Sequence, residues 1–574
     1  MRNLVKANKS TIAAFSVCFL LLILYSKNLS FTDEADNLLG ALSLKNGVDI
    51  YKGFYSQHTP FVYYFVSLFS FIGVSSYEAF RICMSITLLL MWIFLFTRYN
   101  NFFGKNVILY FIAFYVLMLN TTWGYMILSD VFQGYAVLVL MLEALLFLEK
   151  QYFTKGSMFI ISAAIFISTM SAFVSVYSVF IISLLFLYNR NFKKNHIIKE
   201  VKQYIFLALC VAAPFLVLLL WYGFTGNLSN FYEQAYQFNR TFYSKYLGGF
   251  GTSAIRTFID SMLVWTEHIK VSLLGFNKDS FINTLLVIFN FLFFYIHFNK
   301  NKICAIGLFL FVGYCGVRGY VGFHALPYYI VSFFNTAYVL NHYLHIPNSN
   351  ITSKKIIKIL LTVLIILVCN NYIPNMGKNL FADKSVIAQS AYDPYIQKIT
   401  KSNDKIWVSS LGTQSYINNH RLPAVRIATL VPWFYDAYKD KILGDLSTNK
   451  PKLIIFERDS DVWGHVYSSF APELYAYINQ HYTALNENDS VERNIYIRND
   501  DYQKVIKDLW PGEPSLKEGD LITNQTKIYR IENGMKRYIT NPEVFEKHGF
   551  KTDGIIQIDD ETILKIRTGA PIDK

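Results

Sequence analysis

Charge is what this sequence has least of. Only 16% of its 574 residues are Asp, Glu, Lys or Arg, against 53% apolar and 17% aromatic. That balance excludes an ordinary soluble protein, because runs such as Phe19 to Tyr25 and Leu285 to Tyr295 are too apolar and too frequent for a globular core. Repeated apolar stretches approaching ~20 residues indicate transmembrane helices. Cysteine is scarce as well. The six (Cys18, Cys83, Cys210, Cys304, Cys315, Cys369) lie in or beside hydrophobic segments, and none follows residue 373. A disulfide framework is thereby excluded from the C-terminal part, and no Cys/His spacing suggests zinc. No internal repeat is visible, whereas transporters are commonly built from repeats.

What is present is a basic excess of +13. Divided at residue 373, the chain has 27 Lys and Arg against 13 Asp and Glu before that point, and 26 against 27 after it. The excess therefore belongs to the membrane part, where Lys and Arg asymmetry sets orientation, and nucleic-acid binding is not indicated. Candidate spans are 11–27, 78–97, 106–119, 131–148, 157–170, 172–188, 203–221, 281–297, 303–317, 327–344 and 356–373, about eleven in all. Arg2, Lys6 and Lys9 precede the first. With no small-residue cleavage site around Tyr25-Ser26-Lys27, it reads as a retained anchor. A cytoplasmic N-terminus then places the cation-rich loops inside, among them Arg98/Lys105, Lys150/Lys155 and the cluster from Arg190 to Lys202. Most acids fall outside, and so does the region after 373.

Two outer loops are long. The first, 28–77, holds two short helical patterns, Glu34 to Lys45 and Phe61 to Phe71, the second apolar enough to lie along the membrane interface. The other, 222–280, is rich in Tyr, Phe, Asn and Gly, and reads either as a lid over a surface site or as a passive connector along the interface. After 373 the texture changes. Lys405 to Ser409, Lys452 to Phe456 and Asn494 to Arg498 read as strands, with helical signals over Pro432 to Leu446 and Pro472 to His481. Trp510 to Pro514 marks a linker, and Asn533-Gly534 between alternating runs signals a hairpin. The expected fold class is a polytopic α-helical membrane domain (1–373), an extracytoplasmic α/β domain (374–509) and a small β-rich module (510–574).

The first loop opens with three acids within four positions, Asp33, Glu34 and Asp36. Asp33 lies just beyond span one and Asp130 starts span four on the same side. A carboxylate there can act as general base on an acceptor hydroxyl. Alternatively both cap helices, since Thr32-Asp33 and Ser129-Asp130 each precede one. Basic groups on the same side are His58, Arg81, Arg240, Arg318 and His324. An interfacial Arg can bind phosphate through paired hydrogen bonds, or it can simply snorkel to headgroups.

In their order and placement these pieces resemble the GT-C membrane glycosyltransferases, nearest to bacterial relatives of protein O-mannosyltransferases and aminoarabinose transferases. The likeness is carried by Asp33-Glu34-Ala35, Gly47, Tyr51, and Tyr55-Ser56-Gln57-His58-Thr59-Pro60 with the aromatic run to Phe65. Ala79-Phe80-Arg81, Ser129-Asp130 and Phe323-His324-Ala325-Leu326-Pro327-Tyr328 support it. Relatives often carry two prolines, or an acidic–basic pair, where Gln57-His58-Thr59-Pro60 stands. The resemblance implies a GT-C-like fold in a bacterial plasma membrane. It also implies transfer of a sugar, with inversion, from a polyprenyl-phosphate donor to an acceptor hydroxyl of protein, lipid or glycan. Asp33 would be the base and Asp130 would orient acceptor or donor. Arg81, His58, Arg318 and His324 would steady the departing phosphate, with Glu34 and Gln57 among the substrate contacts. A phosphate leaving group needs no nucleotide, and the resemblance implies neither metal nor other cofactor. A surface-polysaccharide polymerase or ligase, and a transporter of lipid-linked glycan, are the alternatives. The terminal module looks like a short repeat appended to bacterial cell-surface proteins.

Overall fold

A computed structural model gives the fold. It describes residues 9–28, 30–188, 197–246, 278–316, 322–345, 390–409, 412–486, 489–509, 516–532, 535–566 and 568–573, with parts of 253–270 and 355–366. The chain divides into two compact units, one of residues 1–52 and 56–387, the other of 388–574 together with Gly53–Tyr55.

Helices build the first unit. In chain order the main ones are α1 (Lys9–Tyr25), α2 (Thr32–Lys45), α3 (Phe61–Phe71), α4 (Tyr77–Phe103), α5 (Lys105–Leu117) and α6 (Ser129–Lys150). They are followed by α7 (Lys155–Ser171), α8 (Val176–Tyr188), α9 (Ile197–Phe224), α10 (Lys278–Phe298), α11 (Lys302–Cys315) and α12 (Leu326–His345). Local chemistry sets their ends. The Ser76 hydroxyl accepts from Ala79 N–H to open α4, and Thr154 does the same from Ser157 for α7. Gly104, at φ +93°, turns α4 directly into α5, a conformation an L side chain resists.

Among the described residues, four segments are long and apolar enough to cross a membrane: α4, α6, Glu200–Phe224 of α9 and Phe281–Phe298 of α10. Helices α1, α3, α5, α7 and α11 are apolar but shorter. On α9 the side chains of Leu216, Val217, Leu220 and Trp221 are all more than half exposed. Apolar surface turned outward in this way suits lipid, not water. α6 is the opposite case. Every residue from Ser129 to Phe147 except Phe132 is buried, as a helix apolar over most of its circumference is at the centre of a bundle. Its Gly134 lets α12 come close, since a Cβ there would lie 2.5 Å from Ile330 Cδ1. Glu143, the one carboxylate deep in α6, is paired with Arg98, whose Nε donates to it at 3.0 Å, and accepts the Tyr99 hydroxyl at 2.8 Å. Between α10 and α12 a polar seam forms, with Asn290 donating to Ser332 at 2.9 Å and accepting from Asn335 at 2.8 Å. The expected span 356–373 is described only as far as residue 366.

The second unit carries two four-stranded sheets. The first joins β1 (Trp407–Val408), β2 (Leu453–Ile455), β5 (Tyr482–Ala484) and β6 (Ile495–Arg498) in the order β1-β2-β6-β5. Only the β1–β2 pair is parallel. Helices Pro432–Asn449 and Pro472–His481 lie between its strands in sequence, and a short hairpin, β3 (Asp461–Val462) and β4 (His465–Val466), stands apart. The second sheet runs β10-β7-β8-β9, from β7 (Leu521–Thr523), β8 (Ile528–Glu532), β9 (Met535–Tyr538) and β10 (Ile556–Gln557). β8 and β9 pair antiparallel across Asn533-Gly534, which lies outside the described residues.

Candidate active site

The site begins where α1 gives way to α2. Asp33 and Glu34 fall in the first turn of α2, where the helix dipole favours negative charge. Neither Asp33 nor Asp130 is a capping residue, because Phe31 and Leu128 hold those positions and neither makes a side-chain cap bond. The capping alternative for the two acids therefore does not describe this structure.

Glu34 is the hub of the local architecture. Its carboxylate accepts Arg81 Nε at 2.9 Å, Arg81 Nη2 at 2.5 Å, and the backbone N–H of Ile127 at 3.1 Å. Arg81 in turn donates to the carbonyls of Ser26 and Asn28, and both side chains of the pair have zero exposure. Asn37, one turn on, donates to the Ile127 carbonyl at 2.9 Å. Four separated pieces of chain are thus tied at one point: the end of α1, α2, α4 and the segment before α6. The resemblance implies that Glu34 and Arg81 meet substrate; in this structure the two side chains are buried against each other and hold these segments together.

Around the next turn of α2 the second feature assembles. Asp36 Oδ2 accepts the Tyr63 hydroxyl at 2.5 Å, and Tyr63 lies 2.6 Å from Ser56 Oγ, which accepts the backbone N–H of His58 at 2.9 Å. Burial pushes the Asp36 carboxyl above its usual value; the charges of His58 and the Tyr63 bond pull it back, and the charge of Asp33 adds to the rise. Asp36 thus feels the charges of both Asp33 and His58. The loop bearing His58 is rigidly held. Tyr51, fully buried at φ 72°, donates its hydroxyl to the His58 carbonyl at 2.7 Å. A bulky residue in that region costs about 1–3 kcal/mol and persists only where surroundings enforce it.

The enforcement comes from the other long loop. Its described part is helical from Leu228 and continues through two stretches of π-helix, Tyr232–Gln237 and Asn239–Tyr243. Asn227 donates to the Ile50 carbonyl at 2.6 Å, Gln234 to Tyr51 at 2.6 Å, and Asn239 to Gln57 at 2.7 Å. Gln234 also accepts the Ser56 N–H at 3.2 Å. This segment is a brace for the first loop, neither an idle connector nor an open lid. Its Arg240 is exposed.

Asp130, 2% exposed in the first turn of α6, lies 3.3 Å from Nδ1 of His324, on the 3-10 turn Gly322–Ala325 that leads into α12. Phe31, Trp123 and Phe323 form a ring cluster with centroid spacings of 5.2 to 5.6 Å. Phe31 is two residues before Asp33, and Phe323 adjoins His324. The cluster thus brings the start of α2 beside the Asp130–His324 pair. Gln57 is half-buried, and its side-chain Oε1 has no hydrogen-bond partner among the described residues. Arg318 lies outside the described residues. Among the described residues no group of three or more His, Cys, Asp or Glu could hold a metal ion.

Sequence reasoning missed the Asp36–Tyr63–Ser56 chain and the Asn227/Gln234/Asn239 brace. The first left a trace, an Asp33-x-x-Asp36 spacing that places two carboxylates on one helix face. The brace left none, for single amides in an aromatic loop are unremarkable.

No family model matches the sequence, and no curated protein matches it. Among solved structures the chain is similar to the apo oligosaccharyltransferase of Archaeoglobus fulgidus, at 11% identity and TM-score 0.46 over 78% of this chain and 70% of that one. It is similar also to ArnT from Cupriavidus metallidurans bound to undecaprenyl phosphate, at 11% identity and TM-score 0.49 over 86% and 98%. A third is archaeal AglB from A. fulgidus with an inhibitory peptide and a dolichol-phosphate, at 12% identity and TM-score 0.44 over 79% and 70%. Every one of these scores is under 0.5, so what the chain does must be read from its own residues.

Proposed function

We propose that this chain is a membrane glycosyltransferase. It moves a sugar from a polyprenyl-phosphate donor to an acceptor hydroxyl at the extracytoplasmic face, with inversion. The observation that carries the reading is the set of acids and histidines gathered here: Asp33 and Asp36 on one face of α2, Asp36 under the influence of the His58 charge, and Asp130 with His324 at 3.3 Å. In the reaction, the acceptor oxygen bonds to the anomeric carbon from the face opposite the phosphate. The carbon–oxygen bond to phosphate breaks, and its electron pair leaves with the phosphate. The acceptor's proton passes to Asp33.

Asp130 orients a substrate hydroxyl, and the unfilled Gln57 amide oxygen accepts another. His58 and His324, with Arg318, oppose the charge growing on the departing phosphate, a preorganised electrostatic contribution. Glu34 and Arg81 act at one remove, fixing the first turn of α2 so that Asp33 is aimed. Eleven spans and an extracytoplasmic second unit complete the proposal, consistent with the asymmetry of Lys and Arg between loops.

The test is turnover of a synthetic polyprenyl-phosphate hexose by purified protein, following released polyprenyl phosphate and glycosylated acceptor together. Asp33→Asn should lower turnover by about 10²–10⁴-fold without loss of folded protein. Wild-type turnover by that variant would remove Asp33 as base. Movement of the donor across a vesicle membrane with no phosphate release would instead indicate a transporter.

A further inference from the structure

We infer that the groove between α1 and α5 seats one anionic phospholipid, with an acyl chain laid against the two helices and its phosphate between Lys9 and Lys105. The inference needs only that this bundle lies in a membrane, and it stands apart from the transfer reaction.

The two helices lie side by side and run the same way. The far end of α1 is tied to the start of α4, where Arg81 donates to the carbonyls of Ser26 and Asn28. Nearer its beginning, Phe15 packs edge-on against Phe96 at 5.6 Å, about two turns before α4 ends. α1 is therefore antiparallel to α4. Gly104 then folds α5 back along α4, so α5 is antiparallel to α4 as well. Lys9 and Lys105, the first residues of α1 and α5, consequently stand at the same end of the bundle.

Between the helices the packing is incomplete. Ala13, Ala14 and Val17 of α1 and Leu109, Ile112 and Ala113 of α5 line a cavity of about 350 Å³, within the range of about 300–1,000 Å³ found for small-molecule sites. Three of those six side chains are a single methyl group, and that is what leaves the space. Its rim faces outward: Ile12, Val17 and Leu20 are all more than half exposed. A cleft with so little polar lining stays dry, and on a face turned to lipid the group that fills it is a hydrocarbon chain.

The charges choose the headgroup. Lys9 precedes Ala13 by four residues and Lys105 precedes Leu109 by four, so each lies on the groove side of its helix, one turn below the lining. Helical side chains lean toward the N-terminus, and a lysine stem snorkels to reach water. Both ammonium groups therefore stand at headgroup depth beneath the groove. Each is the only charged side chain of its helix, and both are exposed. Two cations with no acid in either helix favour a phosphate whose charge is not offset by a choline. The sequence before Lys9 adds Arg2 and Lys6 and no acid. In the orientation proposed above, this end meets the cytoplasmic leaflet, whose surface is negative.

The test uses the full-length protein, delipidated in a neutral detergent. Phosphatidylglycerol and phosphatidylcholine with identical acyl chains are added in turn, and binding is read by native mass spectrometry. Phosphatidylglycerol should bind about tenfold or more tighter, and should raise the melting temperature as a ligand of the folded state does. Lys9→Gln with Lys105→Gln should bring its affinity down to that of phosphatidylcholine, at about fivefold for each lysine. Ala113→Phe fills the groove and keeps both lysines, and should abolish the melting shift while the lipid-free protein melts as before. If that variant is itself destabilised, the lysine pair alone decides. Equal binding of the two lipids, phosphatidylglycerol affinity untouched by the lysine pair, or a melting shift that survives in a stable Ala113→Phe protein overturns the inference. Displacement of phosphatidylglycerol by equimolar polyprenyl phosphate would overturn it in favour of the donor. A dimer that dissociates on Ala113→Phe would overturn it in favour of a second copy of the chain.

Discussion

At the scale of single residues, the pairing of Glu34 with Arg81 changes what a mutation there means. From sequence, Arg81 is an interfacial cation suited to phosphate, and its removal should weaken donor binding. In the structure it is a buried partner, and removing it strands Glu34 as an uncompensated charge. Arg81→Ala is therefore expected to cost about 3–5 kcal/mol of stability, read as a lowered melting temperature in detergent. Arg81→Met with Glu34→Gln should recover much of that loss, which a double-mutant cycle would show as strong coupling. If Arg81→Ala melts like wild type and only the donor KM rises, direct contact with phosphate is the better account. The identities of the acids and histidines were legible in the sequence, and so was the first-loop address of most of them. Their pairings were not, because Glu34 meets Arg81 across 47 residues and Asp130 meets His324 across 194. No local pattern encodes a contact at that range.

At the scale of elements, periodicity served well where the chain speaks locally. The helix expected over Phe61 to Phe71 is found with those bounds, and the one expected from Glu34 begins two residues earlier, at Thr32. Strands were placed to within two residues at β1, β2 and β6, but β5 and the β3–β4 hairpin were not foreseen. The π-helical brace was beyond reach for another reason. A π-turn is set by what the segment packs against, and such turns gather at functional sites. Its contribution can be measured. Gln234→Ala deletes both the donor to Tyr51 and the acceptor for Ser56. Amide hydrogen exchange over residues 50–58 should then rise about tenfold or more, since each lost buried bond is worth about 1–3 kcal/mol, and turnover should fall while the protein stays folded. Unchanged exchange in that variant would show that the loop holds itself.

At the scale of the whole molecule, the membrane class was legible from composition alone, because a helix facing lipid has to be apolar on its outer side as α9 is. Orientation is a separate matter, resting on charge asymmetry, and it has a clean test because all six cysteines precede residue 373. A cysteine replacing exposed Lys551 should react with a membrane-impermeant maleimide on intact cells, while one replacing exposed Lys105 should react only after permeabilisation. The reverse pattern would invert the topology. The brace has a consequence in time as well as in space. Asn227, Gln234 and Asn239 each reach back some 180 residues, by 177, 183 and 182. At a synthesis rate of about 5–20 residues per second, the first loop leaves the ribosome roughly 10–40 s before its support exists. Every new molecule therefore passes through an interval in which its acids have been made but not aligned. On the proposed function, a nascent chain stopped short of residue 227 is expected to reach the membrane without sugar-transfer activity, because the first loop lacks its three amide supports.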